Sequence, residues 1–202
     1  MIKLGLCAFI VLALTGTPLL AQDLTPAPEE ATPASPLSPE ALHKERLGKL
    51  FARLKRETNE AVAEQIAQQI WHLWFSSGSA TVDLLMQWST KAIKDHKYNV
   101  ALDFLNEVVA LDPTYAEGWN QLATLYYMNG NYAKSMADID RTLQLEPRHF
   151  GALAGLAQIM EATGNKKRAL EAYEKVLAIY PMMRSAQVKV EALTQELAGQ
   201  PI

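Results

Sequence analysis

Residue types that could carry catalysis or bind a metal are few in this 202-residue sequence, and they are scattered. The histidines share no metal-ligand spacing; they are His43, His72, His96 and His149. Cys7 is the single cysteine, and neither an H-E-x-x-H motif nor a glycine-rich phosphate loop occurs. Asp138 and Asp140 stand two positions apart on a predicted helix, so they point in different directions and cannot act as an acid/base pair. We therefore expect no enzyme, no metal site and no cofactor.

The overall charge argues against a nucleic-acid binder. The chain has 19 basic and 22 acidic residues and a pI near 5.8. Proteins that bind nucleic acids by their backbones normally concentrate positive charge on one surface. With 49% apolar residues, the chain can instead bury a core or a short repeat array.

The first 21 residues have the three-part pattern of a secretory signal peptide. Lys3 precedes an apolar core from position 4 to 14, and Ala21 supplies a small residue for cleavage before Gln22. This pattern predicts a periplasmic or secreted protein, with an uncleaved anchor as the alternative. Cleavage would remove Cys7, so we expect no structural disulfide in the mature chain.

Residues 22–39 are rich in proline and are interpreted as a disordered linker. Residues 40–79 then show two helical stripes, interpreted as a helical hairpin. The first helix, 41–56, is basic on its outer faces; this suits a solvated surface, or alternatively an anionic membrane surface. In the second, we expect Trp71, Trp74 and Phe75 to pack against the repeat that follows.

A pattern of large, small and turn residues repeats through the second half of the chain. Its central copy runs through Trp119, Leu122, Ala123, Tyr126, Gly130, Tyr132, Ser135, Ile139, Thr142 and Pro147. Displaced by one period, Leu85 and Leu153 take the position of Trp119, and Pro113 and Pro181 that of Pro147. A period of 34 residues with this pattern resembles the tetratricopeptide repeat (TPR).

The resemblance implies an all-α fold, a right-handed solenoid of antiparallel helix pairs. Three repeats are predicted at 82–115, 116–149 and 150–183, with a closing helix at 184–198. The hairpin at 40–79 is interpreted as a degenerate repeat that caps the array, as terminal repeats often do. Gly130 and Gly164 are expected to end the first helix of their repeats, whereas the first repeat has no glycine there.

In TPR proteins the first helix of each repeat lines a concave groove, and the resemblance implies the same here. The predicted lining consists of Asp83, Met86, Thr90, Ile93, Lys94, Glu117, Asn120, Thr124, Tyr127, Met128, Gln158 and Glu161. Tyr127 is the strongest candidate for a contact. Some TPR proteins grip a terminal carboxylate with basic residues, but this lining offers only Lys94 and Asn120 for that role. A nearly neutral groove suits a protein or peptide segment with apolar anchors.

The sequence thus predicts an exported scaffold that binds another protein through its groove, as an adaptor in envelope assembly. One alternative resembles the periplasmic TPR domains that hold apocytochrome chains for haem attachment. Another is a membrane-surface protein that uses the basic helix at 41–56. The same fold serves unrelated partners, so the pattern identifies the architecture better than the partner.

Overall fold

The computed structural model describes residues 38–199, and within this range it has helices and no strands. The helices are α1 (Pro39–Leu54), α2 (Glu60–Trp74), α3 (Ala80–Lys94), α4 (Tyr98–Leu111), α5 (Ala116–Met128), α6 (Tyr132–Leu145), α7 (Phe150–Ala162), α8 (Lys166–Ile179) and α9 (Arg184–Ala198). The expected signal peptide and nearly all of the expected linker lie outside the described residues. No helix in the described range has the length and apolar character that crossing a membrane requires.

Helices α3 to α8 form three antiparallel pairs that stack into an all-α helical-repeat solenoid. The helices of a pair approach closely because small residues lie where they meet. Ala101, Ser135 and Ala169 are each at most 1% exposed on the second helices of their pairs. Ser135 Oγ also donates a hydrogen bond to the Ala123 carbonyl on α5, at 2.7 Å. The predicted spacing of small residues therefore sets the helix packing.

The turn inside each pair has one geometry in all three repeats. Gly130 and Gly164 have φ angles of +72° and +77°, and His96 occupies the same place with a φ of +57°. Each is followed by an amide that bonds a carbonyl five residues earlier, as Lys97 does to Ala92 at 2.8 Å. This hydrogen bond closes the end of the helix. The first repeat therefore keeps the turn without glycine, with His96 in a conformation that non-glycine residues adopt infrequently.

The hairpin of α1 and α2 does not cap the first repeat, and the expectation that it would is wrong. The Trp74 ring stacks on His149, in the turn between α6 and α7, at a centroid distance of 4.0 Å. Trp71 meets the edge of Phe150, the first residue of α7, at 5.5 Å. The buried side chains of the hairpin share one core with those of α7, α8 and α9. The hairpin has therefore folded back onto the last repeat.

The direction of α2 shows how the hairpin lies. Its last turn carries Trp71 and Trp74 and rests on the start of α7. Its first two turns carry Glu60 and Glu64, which lie near Tyr180 after α8. Burial raises the pKa of Tyr180, and Glu64 and then Glu60 raise it further. The helix therefore runs across two successive connections between repeats.

Candidate functional site

The inner face of the solenoid is formed by the first helix of each pair, and most of the predicted groove residues lie there at the surface. Asp83, Thr90, Ile93, Lys94, Thr124, Tyr127, Met128, Gln158 and Glu161 are half-buried or exposed. Three of them, Tyr127, Gln158 and Glu161, line one pocket of about 440 Å³. The residues on α3, in contrast, do not contribute to this pocket.

Three predicted lining residues are buried, and the expectation that they are open to a ligand is wrong. Met86 is 2% exposed and belongs to the core formed by α3, α4 and α5. Glu117 and Asn120 are 1% and 6% exposed. The side chain of Asn120 donates to the Glu117 carboxylate at 3.1 Å, so it is not available for a terminal-carboxylate clamp. Glu117 and Asn120 belong to a buried hydrogen-bonded cluster with His149, which the family pattern does not include.

The pocket includes residues that the prediction missed. They are Tyr173, Met183, Ser185, Ala186 and Lys189. Ala154 and Ala162, at expected groove positions of α7, also line it. The sequence pattern could have predicted the pocket residues on α9, because Arg184 starts a further 34-residue period after Ala116 and Phe150. Helix α9 therefore contributes to the inner face as the first helix of another repeat would, as well as covering α8.

Polar groups at one side of the pocket are held by Glu161. Its carboxylate accepts hydrogen bonds from the Tyr173 hydroxyl at 2.7 Å and from Lys189 Nζ at 2.9 Å. Burial acts to raise the pKa of Glu161, but the hydrogen bonds from Lys189 and Tyr173 outweigh it, and the pKa is lowered. Burial, followed by the bond to Glu161, raises the pKa of Tyr173, so its hydroxyl stays a donor. This edge of the pocket therefore combines an ionised carboxylate, that of Glu161, with the ammonium group of Lys189.

The rest of the pocket lining is mostly apolar. Tyr127 packs beside Tyr132 with ring centroids 5.6 Å apart, which holds its ring at the pocket. Ala154, Met183 and Ala186 add small or flexible apolar groups. Such a surface can accept an apolar side chain, while Gln158 and Glu161 face the polar groups beside it.

A buried polar cluster lies where α5 and α7 begin, and it is closed to solvent. His149 and Glu117 are fully or almost fully buried, and His149 Nε2 lies 2.9 Å from Glu117 Oε2. His149 Nδ1 accepts a hydrogen bond from the backbone N–H of Ala152 at 3.1 Å, so Nε2 carries the hydrogen and its N–H donates a hydrogen bond to Glu117. Trp74 covers the imidazole. The cluster therefore positions the hairpin on α7 and has no access to a substrate.

The membrane-surface alternative requires the apolar stripe of α1, and that stripe is buried. Leu47, Leu50, Phe51 and Leu54 are at most 6% exposed and belong to the core shared with α7, α8 and α9. Arg148 also lies over the Phe51 ring at 4.2 Å. The docked hairpin therefore offers its basic surface to solvent and keeps this apolar stripe inside.

A stack of helix pairs with an accessible inner face defines a helical-repeat scaffold, and comparisons with known proteins agree. A family model for the tetratricopeptide repeat matches residues 120–182. A TPR repeat-containing protein of Rhizobium etli is 52% identical over 156 residues, which are 77% of this chain and 76% of that protein. The small glutamine-rich tetratricopeptide repeat-containing protein 2 of Saccharomyces cerevisiae is 30% identical over 97 residues, 48% of this chain and 28% of that protein.

Solved structures show the same fold at lower identity. The first TPR of Spaghetti, bound to an HSP90 peptide, matches with a TM-score of 0.57 and 22% identity over 60% of this chain and 96% of that one. The type III secretion chaperone SycD of Yersinia enterocolitica, in complex with a peptide of the translocator YopD, matches with a TM-score of 0.55 and 13% identity over 59% and 96%.

The chain belongs to the tetratricopeptide repeat family. TPR domains generally mediate protein–protein interaction, and proteins built from them are typically scaffolds without catalytic activity.

Proposed function

We propose that this protein is an exported TPR scaffold that binds a segment of another polypeptide in its inner groove, as an adaptor in envelope assembly. The observation that carries the proposal is the pocket formed by α5, α7, α8 and α9. Its volume of about 440 Å³ is large enough for one bulky side chain and part of the adjoining backbone.

The chemistry of the lining favours a segment with an apolar anchor. Tyr127, Met183 and Ala186 supply apolar contact, and Gln158 can bond a backbone group of an extended or helical peptide. Glu161 and Lys189 neutralise one another, so the pocket has no strong preference for a charged peptide end. The structural neighbours bound to HSP90 and YopD peptides support a peptide segment as the ligand.

Export is supported by the three-part pattern of residues 1–21, and it has its own test. We expect the N-terminal residue of the protein recovered from the envelope fraction to be Gln22, as determined by N-terminal sequencing. A protein that keeps Met1 and stays in the cytoplasmic fraction would contradict export. It would not contradict peptide binding in the groove.

Groove binding is tested by photo-cross-linking in intact cells. A photoreactive phenylalanine analogue in place of Gln158 should give a discrete adduct, because this exposed residue lines the pocket. The same analogue in place of Lys175, exposed on α8 and outside the pocket lining, serves as the matched control. Tyr127→Ala should abolish the adduct with little change in thermal unfolding, whereas Tyr127→Phe should keep it. Equal adducts at both positions would contradict a specific groove.

The identity of the adduct separates the two sequence-based hypotheses. An envelope protein captured from the Gln158 position supports the adaptor. Haem-free cytochrome chains would support the apocytochrome holder instead, and their absence would count against it.

A further inference from the structure

An apolar face at the beginning of the repeat array is open to solvent. On α3, Leu84 and Trp88 are 42% and 46% exposed, and on α4, Val100 and Leu111 are 43% and 52% exposed. Trp88 packs beside Phe104 of α4 with ring centroids 5.6 Å apart. A shallow pocket of about 390 Å³ lies between Trp88, Val100 and Phe104. We call these five residues the α3–α4 outer face.

The position of this face in the solenoid explains why it is apolar. In a repeat array each helix pair buries one side against the pair before it, and a terminal pair normally has a polar outer side. The α1–α2 hairpin does not supply the missing layer, because its core residues are shared with α7, α8 and α9. The α3–α4 outer face is thus a stacking surface that residues 38–199 leave unstacked.

Charged residues at the two ends of the face have opposite signs. At the end where α3 meets α4, Lys91 and Lys97 flank Asp95, at 3.2 and 3.8 Å, which leaves an excess of one positive charge. At the other end, the exposed Glu107 falls between Phe104 and Leu111 on the same side of α4, by helical spacing. A rotation of 180° about an axis through Trp88 exchanges these ends.

We propose that a second copy of this chain covers the α3–α4 outer face, in a two-fold dimer with Trp88 and Phe104 at its centre. The two-fold arrangement places the positive end of one protomer over Glu107 of the other, so the face complements itself in charge and in apolar character. A face with one charge sign would instead favour a foreign partner of the opposite sign. The proposal concerns the outer end of the array and does not depend on what the groove binds.

Sedimentation of the purified protein over a range of concentrations tests the dimer. We expect a monomer–dimer equilibrium with a dissociation constant on the order of micromolar, as for a small interface. Trp88→Glu should weaken the dimer by about a hundredfold or more, since Trp88 contributes twice at the centre. Val188→Glu is the matched control, because Val188 is equally exposed (48%) but lies on α9; it should leave the dimer unchanged. Circular dichroism melts check that both variants fold.

The charges test the two-fold arrangement itself. Lys91→Glu and Glu107→Lys should each weaken the dimer by about fivefold, and the double variant should recover most of the loss, because it restores opposite charges across the interface. A wild-type protein that sediments as a monomer at every concentration overturns the proposal. So does a dimer that survives Trp88→Glu, or a double variant no better than the single ones.

Discussion

The carboxylate of Glu117 is buried, and the hydrogen-bond donors around it replace the water that it loses on folding. Gln121 Nε2 donates to Oε1 at 2.6 Å, Asn120 Nδ2 lies within 3.2 Å of both oxygens, and His149 Nε2 donates to Oε2 at 2.9 Å. Asn120 and Gln121 follow Glu117 by three and four residues on α5, whereas His149 comes from the next repeat connection. The cluster therefore ties α5 to the start of α7.

Replacing Glu117 by alanine should destabilise the protein by about 3 kcal/mol, because it leaves the His149 N–H buried without an acceptor. Glu117→Gln keeps an acceptor oxygen and should cost about half as much. The free energy of unfolding in urea measures both. Equal losses for the two variants would show that packing volume, and not hydrogen bonding, decides the effect.

Asp138 on α6 is a second carboxylate in an unfavourable environment. Its Oδ2 atom is buried without a hydrogen-bond partner in the described structure. Burial raises the pKa of Asp138 to about 6, and Lys134 opposes the shift. Because the folded state holds the proton more tightly than the unfolded chain, the ionised form weakens the fold above about pH 6. As the pH falls toward about 4, Asp138 becomes protonated, and its ionised form no longer lowers the stability of the fold.

Asp138→Ala should therefore improve stability more at about pH 7.5 than at about pH 4, relative to the wild type. Urea titrations at the two pH values measure the change in unfolding free energy caused by the substitution. The change in packing is the same at both pH values, so it cancels when the two results are subtracted. Asp140→Ala, an exposed change two residues away on the same helix, provides the control. The same stability change at both pH values for Asp138→Ala would contradict the raised pKa.

At the scale of elements, the docking of α2 on α7 requires a residue without a side chain. A Cβ atom on Gly151 would lie 2.6 Å from Cη2 of Trp71, whereas a Cβ on Gly155 would meet only Ile139 Cδ1, at an ordinary 3.6 Å. Both glycines lie on α7. Gly151 therefore permits the close approach of the hairpin, and Gly155 does not contact it.

The two glycines provide a matched pair of substitutions. Gly155→Ala should stabilise the protein by up to about 1 kcal/mol, because alanine is the better helix former. Gly151→Ala gains the same helix preference but forces Trp71 to move, with a net loss of about 1 kcal/mol. Thermal unfolding and tryptophan fluorescence would record the changes. A stabilised Gly151→Ala variant with unchanged fluorescence would mean that Trp71 is not packed against α7.

For the whole molecule, the buried side chains form separate clusters. One cluster joins α1 and α2 to α7, α8 and α9, and another joins α3, α4 and α5. A smaller cluster around Ile139 and Ile159 connects the middle of the array. The first two helices of the described residues thus stabilise the last repeat, through contacts that a simple solenoid lacks.

Trp74→Ala should test this closure. We expect a loss of about 3 kcal/mol, with faster amide hydrogen exchange in α2 and α8 and little change in α4. Trp88→Ala, measured at a dilution that keeps the chain monomeric, is the control, since Trp88 is exposed on α3. Faster exchange in α4 than in α8 for Trp74→Ala would contradict the fold-back of the hairpin.

Prediction from sequence succeeded where a contact is local and repeated. The small residues Ala123 and Ser135 identified where helices of a pair approach, and the predicted turns lie at Gly130 and Gly164. Tyr127, Gln158 and Glu161 of the predicted groove line the pocket, whereas Tyr173 and Lys189 were missed; their role in binding stays a prediction. Tyr173 lies on α8, the second helix of its repeat, which the family pattern assigns to the outside.

The 34-residue period by itself determined the helix pairs and their order, because each repeat packs mainly against its neighbours and the same contacts recur. Only the tertiary structure decided where the hairpin lies, which of the predicted groove residues are buried and which end of the array stays apolar. The physical reason is that Trp74 meets His149 across a long stretch of chain, through burial and stacking specific to that pair. A contact made once leaves no period in the sequence.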